Sequence, residues 1–201
     1  MRRTLLLLTI VAGIALVAWS GWHNWHEREL RSQLIEQTTK MQSANASDDE
    51  ASAISPLKGK AAPEFSLDDL SGKKVTLDDF KGRPLLINFW GTYCGPCKIE
   101  MPWIEELSKK YAANGFKVVG ITYDAEVGKE IIARDTQRLG VTYPILLSDA
   151  KSEKDYLSGT EVLPISFYVD RTGKIIEVAA GAGSKDDIEA LVKETIAAGG
   201  N

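Results

Sequence analysis

The stretch PLLINFWGTYCGPCKIEMPWIEEL, Pro84 to Leu107, decides the fold. Its first part, Pro84 to Trp90, is a short apolar run rich in strand formers, of the kind that sits in a central strand covered on both faces. A tight passage, GTYCGPC, follows and gives way to a helical pattern from about Cys94 to Ala113. Ile99, Trp103, Ile104 and Leu107 supply the apolar stripe of that helix, while Glu105 and Glu106 read as solvated charges. Pro102 removes one rung of the hydrogen-bond ladder and predicts a kink.

Working outward, the upstream segment APEFSLDDLSGKKVTLDDF reads as a hairpin, with extended pieces at Glu64 to Leu67 and Lys74 to Leu77 around a Ser71-Gly72 turn. Downstream, Lys117 to Thr122 is a strand, Glu126 to Leu139 a polar helix, and Ile145 to Leu147 a third strand. Lys151 to Gly159 reads as a polar loop. LPISFYVDRTGKIIEVAAG then gives two strands joined at Asp170 to Gly173, and Lys185 to Ala197 is the last helix. That order describes an α/β domain, a mixed sheet with helices on both faces.

Cys94 and Cys97 are the only cysteines of the 201 residues. They sit where a buried strand becomes a helix, so unpaired N–H groups and the helix dipole favour a thiolate at Cys94. Cys94 can then attack a partner disulfide, and Cys97, one turn further in, can resolve the mixed disulfide in a two-electron exchange that needs no bound cofactor. Two other readings compete. A structural disulfide would close too small a loop to stabilise much. A metal site lacks a third ligand, although two thiolates alone can hold a cuprous ion, as in a copper-binding chaperone.

The chain has two histidines, His23 and His26, both near the N-terminus. Histidine-dependent hydrolases and histidine–zinc sites are therefore poor hypotheses for the domain, and a carboxylate must handle protons. Glu100 lies three residues after Cys97 on nearly the same side of the helix. If semi-buried it is a proton carrier, and otherwise an ordinary surface glutamate. Trp90 and Tyr93 flank the thiols and either cover apolar substrate or fill core. Pro164, in VLPIS, precedes a strand, and a cis bond there would expose the Leu163 backbone to a partner.

At the N-terminus, Arg2 and Arg3 precede Thr4 to Trp22, an uncharged run that would rise about 28 Å as a helix and just cross a bilayer. The basic pair predicts a cytoplasmic N-terminus, with the rest of the chain on the far side, and Trp19, Trp22 and Trp25 suit the outer interface. The alternative is a cleaved signal peptide, with Ala18 and Ser20 before a cut ahead of Gly21. The expected organisation is residues 1–26 as anchor, 27–56 as polar linker and 57–201 as the folded domain. With 24 basic against 28 acidic residues, a net charge of -4 and no basic run, no nucleic-acid partner is expected.

From about Ala61 to Ala197 the sequence resembles the thioredoxin superfamily, specifically its membrane-tethered TlpA/ResA-like thiol-disulfide oxidoreductases. NFWGTYCGPCKIEMPWIEEL is similar to their active-site segment and VLPISFYVDRTGKI to their cis-proline segment. The resemblance implies a thioredoxin-like fold with an N-terminal hairpin extension and a separate transmembrane helix. It implies Cys94 as attacking and Cys97 as resolving cysteine, Glu100 as buried acid and Pro164 as cis-proline. Trp90, Tyr93 and Leu163 are the expected substrate-binding residues; Tyr93 stands where the family usually has tryptophan and Leu163 where a smaller or β-branched residue is more usual, which implies a substrate surface different from that of its relatives. Gly95-Pro96 is the dipeptide of reducing thioredoxins. The implied function is reduction of disulfides in exported proteins, with apocytochrome c among the candidate substrates and a membrane thiol as electron donor. The bacterial cytoplasmic membrane would be its location. A disulfide-forming oxidase and a thiol peroxidase are the enzymatic alternatives.

Overall fold

The computed structural model describes residues 55–160 and 162–199. Among them the regular elements are β1 (Ser66–Asp68), β2 (Lys74–Thr76), β3 (Leu85–Trp90), α1 (Gly95–Lys110), β4 (Lys117–Thr122), α2 (Lys129–Arg138), β5 (Ile145–Leu147), α3 (Ala150–Leu157), β6 (Ile165–Val169), β7 (Ile175–Ala180) and α4 (Lys185–Ala197). The expected membrane helix lies outside the described residues, as does the linker up to residue 54. No described helix is long and apolar enough to cross a membrane.

β3 is buried along its whole length because it occupies the middle of a five-stranded sheet of order β5-β4-β3-β6-β7. β3, β4 and β5 run parallel, and β6 and β7 add antiparallel pairs, so the sheet is mixed. Alternate residues of β3 feed two cores. Leu85, Ile87 and Phe89 face a core shared with Phe65 and Leu67 near the β1–β2 hairpin and with Tyr156 and Leu157 of α3. Leu86 and Trp90 face the other, which holds Cys97, Met101 and Ile104 of α1, Ile132 of α2 and Ile188 and Val192 of α4. This is the period of two expected of a strand with both faces covered.

The segment Lys151 to Gly159 departs from the sequence reading. It is helical rather than a loop, because Asp149 and Ser152 form a capping box that meets the first free N–H groups. Ser152, Tyr156 and Leu157 form its buried side. Tyr156 packs against Phe89 and Phe167 at ring-centroid distances of 5.4 and 5.0 Å, and its hydroxyl donates to the Pro63 carbonyl at 2.6 Å.

The phase of α1 also differs. Ile99 is 61% exposed, and Cys97, Glu100, Met101, Ile104, Glu105 and Leu107 form the buried side. Glu105 is therefore no solvated charge. Its carboxylate accepts from the Thr142 N–H at 2.7 Å, the Thr142 hydroxyl at 2.5 Å and the Tyr143 N–H at 3.3 Å, pinning α1 to the turn before β5. Burial pushes its carboxyl up, but the Thr142 and Tyr143 donors together with Lys109 outweigh this and hold it below the usual glutamate range. Glu106 is exposed and pairs with Lys185 of α4.

Candidate active site

β3 ends at Trp90 and α1 begins at Gly95, so four residues make the corner that carries the first cysteine. The corner is tied at each step. The Tyr123 N–H reaches the Trp90 carbonyl at 2.7 Å, and the Cys94 N–H closes a turn on the Gly91 carbonyl at 3.0 Å. Cys94 is the N-cap of α1, Pro96 lies in the first turn, and the Cys94 sulfur accepts the Cys97 N–H at 3.2 Å. Such an N–H, at the positive end of the helix dipole, favours negative charge on sulfur when the pair is reduced. In the structure the two cysteines form a disulfide with Cα atoms 5.3 Å apart. Cys94 keeps a small solvent-facing edge, whereas Cys97 is fully buried.

Glu100 lies on the same inner side of α1 as Cys97 and is 3% exposed. Burial pushes its carboxyl up to about 7, against the opposing influence of the Gly183 N–H and the Ser166 hydroxyl. Tyr168 of β6 and Tyr143 are close enough to sense its charge, and both phenols are held well above their usual range, chiefly by burial. Ser166 in turn accepts from the Asn88 amide of β3 at 3.0 Å, directly across the β3–β6 pair.

Trp90 is completely buried, so its indole fills core and offers no face to a partner. Gly120 lies beside the indole, and a Cβ there would crowd Ile145 Cδ1 at 2.7 Å and Tyr143 Cε2 at 3.2 Å. Tyr93 is 65% exposed. Leu163 is half-buried and packs against both cores, and a Cβ on Gly91 would meet Tyr93 Cε1 at 3.0 Å and Leu163 Cδ1 at 3.4 Å. Tyr93 and Leu163 thus flank the same glycine beside the cysteines. The Leu163–Pro164 peptide is cis, and Pro164 is buried at the start of β6. Tyr93 and Ile99, on either side of the cysteine pair, are the most exposed large apolar side chains among the described residues.

Residues 57–193 match the Redoxin family profile. The chain belongs to the Redoxin family. This redoxin is 36% identical over 136 residues to thiol-disulfide oxidoreductase ResA of Bacillus thuringiensis, a match covering 68% of the chain and 77% of the relative. It is 35% identical over 133 residues to thioredoxin-like protein YneN of Bacillus subtilis, covering 66% and 76%. Among solved structures it is similar to a thiol:disulfide interchange protein of the thioredoxin family from Chlorobium tepidum, with a TM-score of 0.63 and 27% identity over 69% of this chain and 97% of that one. The adjacent cysteine pair and these relationships make the redoxin a thiol-disulfide oxidoreductase.

Asp124 carries no motif that marks it in the sequence. It follows β4, is buried, and accepts from the Thr92 N–H at 2.9 Å and from the Thr92 hydroxyl. The sequence signal is an acid just past the end of a parallel strand next to the strand that leads into the cysteine corner, where side chains meet at the active edge of an open sheet.

Proposed function

We propose that this redoxin is a membrane-anchored, extracytoplasmic reductase of protein disulfides, with residues 1–26 as its anchor, 27–56 as linker and 57–201 as the catalytic domain. One arrangement carries the reading: a cysteine at a helix N-cap with a solvent-facing edge, backed by a fully buried second cysteine and a buried carboxyl on the same helix face. Gly95-Pro96 between the cysteines and the Arg2-Arg3 pair before the apolar run Thr4 to Trp22 support direction and placement.

In the reduced enzyme the Cys94 thiolate attacks one sulfur of a partner disulfide, the partner S–S bond breaks, and the leaving sulfur takes a proton. Cys97 gives its proton to the Glu100 carboxylate and attacks Cys94. The second partner thiolate leaves, taking a proton, and two electrons have passed to the partner. The product, a Cys94–Cys97 disulfide, is reset by a thiol donor at the membrane. Tyr93 and Leu163 supply the apolar surface beside the sulfur, and Pro164 presents the Leu163 backbone to an extended substrate strand.

The relative's description as a thiol-disulfide oxidoreductase supports disulfides as substrate class; the proposed extracytoplasmic placement makes them those of exported proteins, with apocytochrome c as a specific candidate. Cys97→Ser tests this, since it leaves the first mixed disulfide unresolved. Expression in cells followed by non-reducing capture should recover Cys94-linked exported proteins. Apocytochrome c among them assigns cytochrome maturation, and a broad set assigns general repair. Recovery of only cytoplasmic proteins contradicts the proposed location.

A further inference from the structure

Two residues far apart in sequence hold the corner before Cys94, and neither takes part in the exchange chemistry. Asp124 is 3% exposed and receives three donors: the Thr92 N–H at 2.9 Å, the Thr92 hydroxyl, and the Thr122 hydroxyl at 2.6 Å. No lysine, arginine or histidine among the described residues lies within ion-pair distance of it. A buried carboxylate without a cation is costly unless its oxygens are fully met by donors, and here two of the three come from one residue of the active-site turn.

The surrounding bonds show what that grip controls. Trp90 is fixed through its carbonyl by Tyr123, and Cys94 through its N–H by the Gly91 carbonyl and through its own carbonyl by the Lys98 N–H at 3.3 Å. Thr92 is the central residue of this passage, between strand and helix, where no ladder bond reaches. We infer that Asp124 is a positioning residue for the redox pair, holding Thr92 so that the turn delivers Cys94 to the N-terminus of α1 in the geometry for attack. The inference rests on the reading of Cys94 as the attacking thiol. It adds a part of the site that lies just after β4, away from the corner and helix that carry the cysteines.

The test uses the full-length chain, reduced, reacting with 4,4′-dithiodipyridine, a neutral disulfide that does not sense a change of protein charge. Cys94→Ser comes first: loss of the fast phase confirms Cys94 as the attacking thiol, and its survival refutes that assignment, separately from the role of Asp124. Asp124→Ala should slow the fast phase about 100-fold, the cost of a misplacement of roughly 1 Å at a reacting atom. Asp124→Asn removes the charge but keeps an oxygen for both Thr92 donors, and its amide can donate to the Thr122 hydroxyl. It should therefore stay within about threefold of wild type, a rescue that a general loss of stability does not explain. An Asp124→Ala rate within about threefold of wild type, or an Asp124→Asn rate as low as that of Asp124→Ala, overturns the inference. Should Asp124→Ala fail to fold, Thr92→Val, which deletes one donor and keeps the N–H, should slow attack about tenfold, and a rate within about twofold of wild type refutes the proposal.

Discussion

Glu100 and Cys97 stand three residues apart on α1 and both face the interior, the carboxylate 3% exposed and the cysteine not at all. Water reaches neither freely, and in the proposed mechanism the Glu100 carboxyl accepts the proton that leaves Cys97. A carboxyl pushed up to about 7 is suited to that task near neutral pH, being divided between its two protonation states.

Release of product from the mixed disulfide should rise with pH through about 7, as Glu100 loses its proton and becomes able to accept one. Glu100→Gln should slow this step by about 100-fold and remove the inflection, while the first attack by Cys94 stays pH-dependent through its own thiol. Single-turnover kinetics from pH 5 to 9 separate the two steps.

The same carboxyl sets a stability trend. Its folded value of about 7 lies above the ordinary 4.5, so the folded state holds the proton more tightly than the unfolded chain. Below pH 4.5 both states are protonated and burial carries no charge penalty. As pH rises through 7 the folded enzyme loses about 3 kcal/mol of that advantage. Urea unfolding at pH 5 and pH 8 should show this loss in wild type, and Glu100→Gln should show much less of it.

Glu105 should behave in the opposite sense. Its folded carboxyl lies below the usual range, so its contribution is present above the unfolded value and is lost as pH falls through the folded one. Glu105→Ala strands the buried Tyr143 N–H and frees the turn before β5, costing about 2 to 3 kcal/mol at neutral pH. Glu105→Gln should lose less and flatten the acid side of the stability curve, as read by urea unfolding between pH 3 and 7.

Tyr93 and Trp90 are three residues apart in sequence and differ in kind. Tyr93→Ala should raise KM for a protein disulfide about tenfold, equivalent to about 1.4 kcal/mol of lost contact, with little change in stability. Trp90→Ala empties a closed core position and should cost about 3 to 5 kcal/mol in unfolding free energy. Steady-state kinetics and denaturant titration on both variants check this contrast.

These contrasts mark where sequence reading reaches its limit. The β3 strand, the cysteine corner and most of α1 were legible because each is announced locally, by an apolar run, by Gly-Pro and by helical spacing. The helix α3 was missed because its signal is a capping box and two adjacent apolar residues in an otherwise polar stretch. The phase of α1 was misread at Ile99 and Glu105 because periodicity fixes which residues share a side, not which side is covered. Glu105 meets Thr142 across 37 residues, and Asp124 meets Thr92 across 32. Such pairings arise only when the sheet assembles, so no local pattern carries them.

The midpoint potential of the Cys94–Cys97 couple in the full-length protein tests the central claim of a disulfide reductase most directly. A reductase should show a value near that of thioredoxin, about -270 mV, low enough to push electrons onto protein disulfides outside the cytoplasm. A value near -120 mV, that of a strong oxidant, contradicts it.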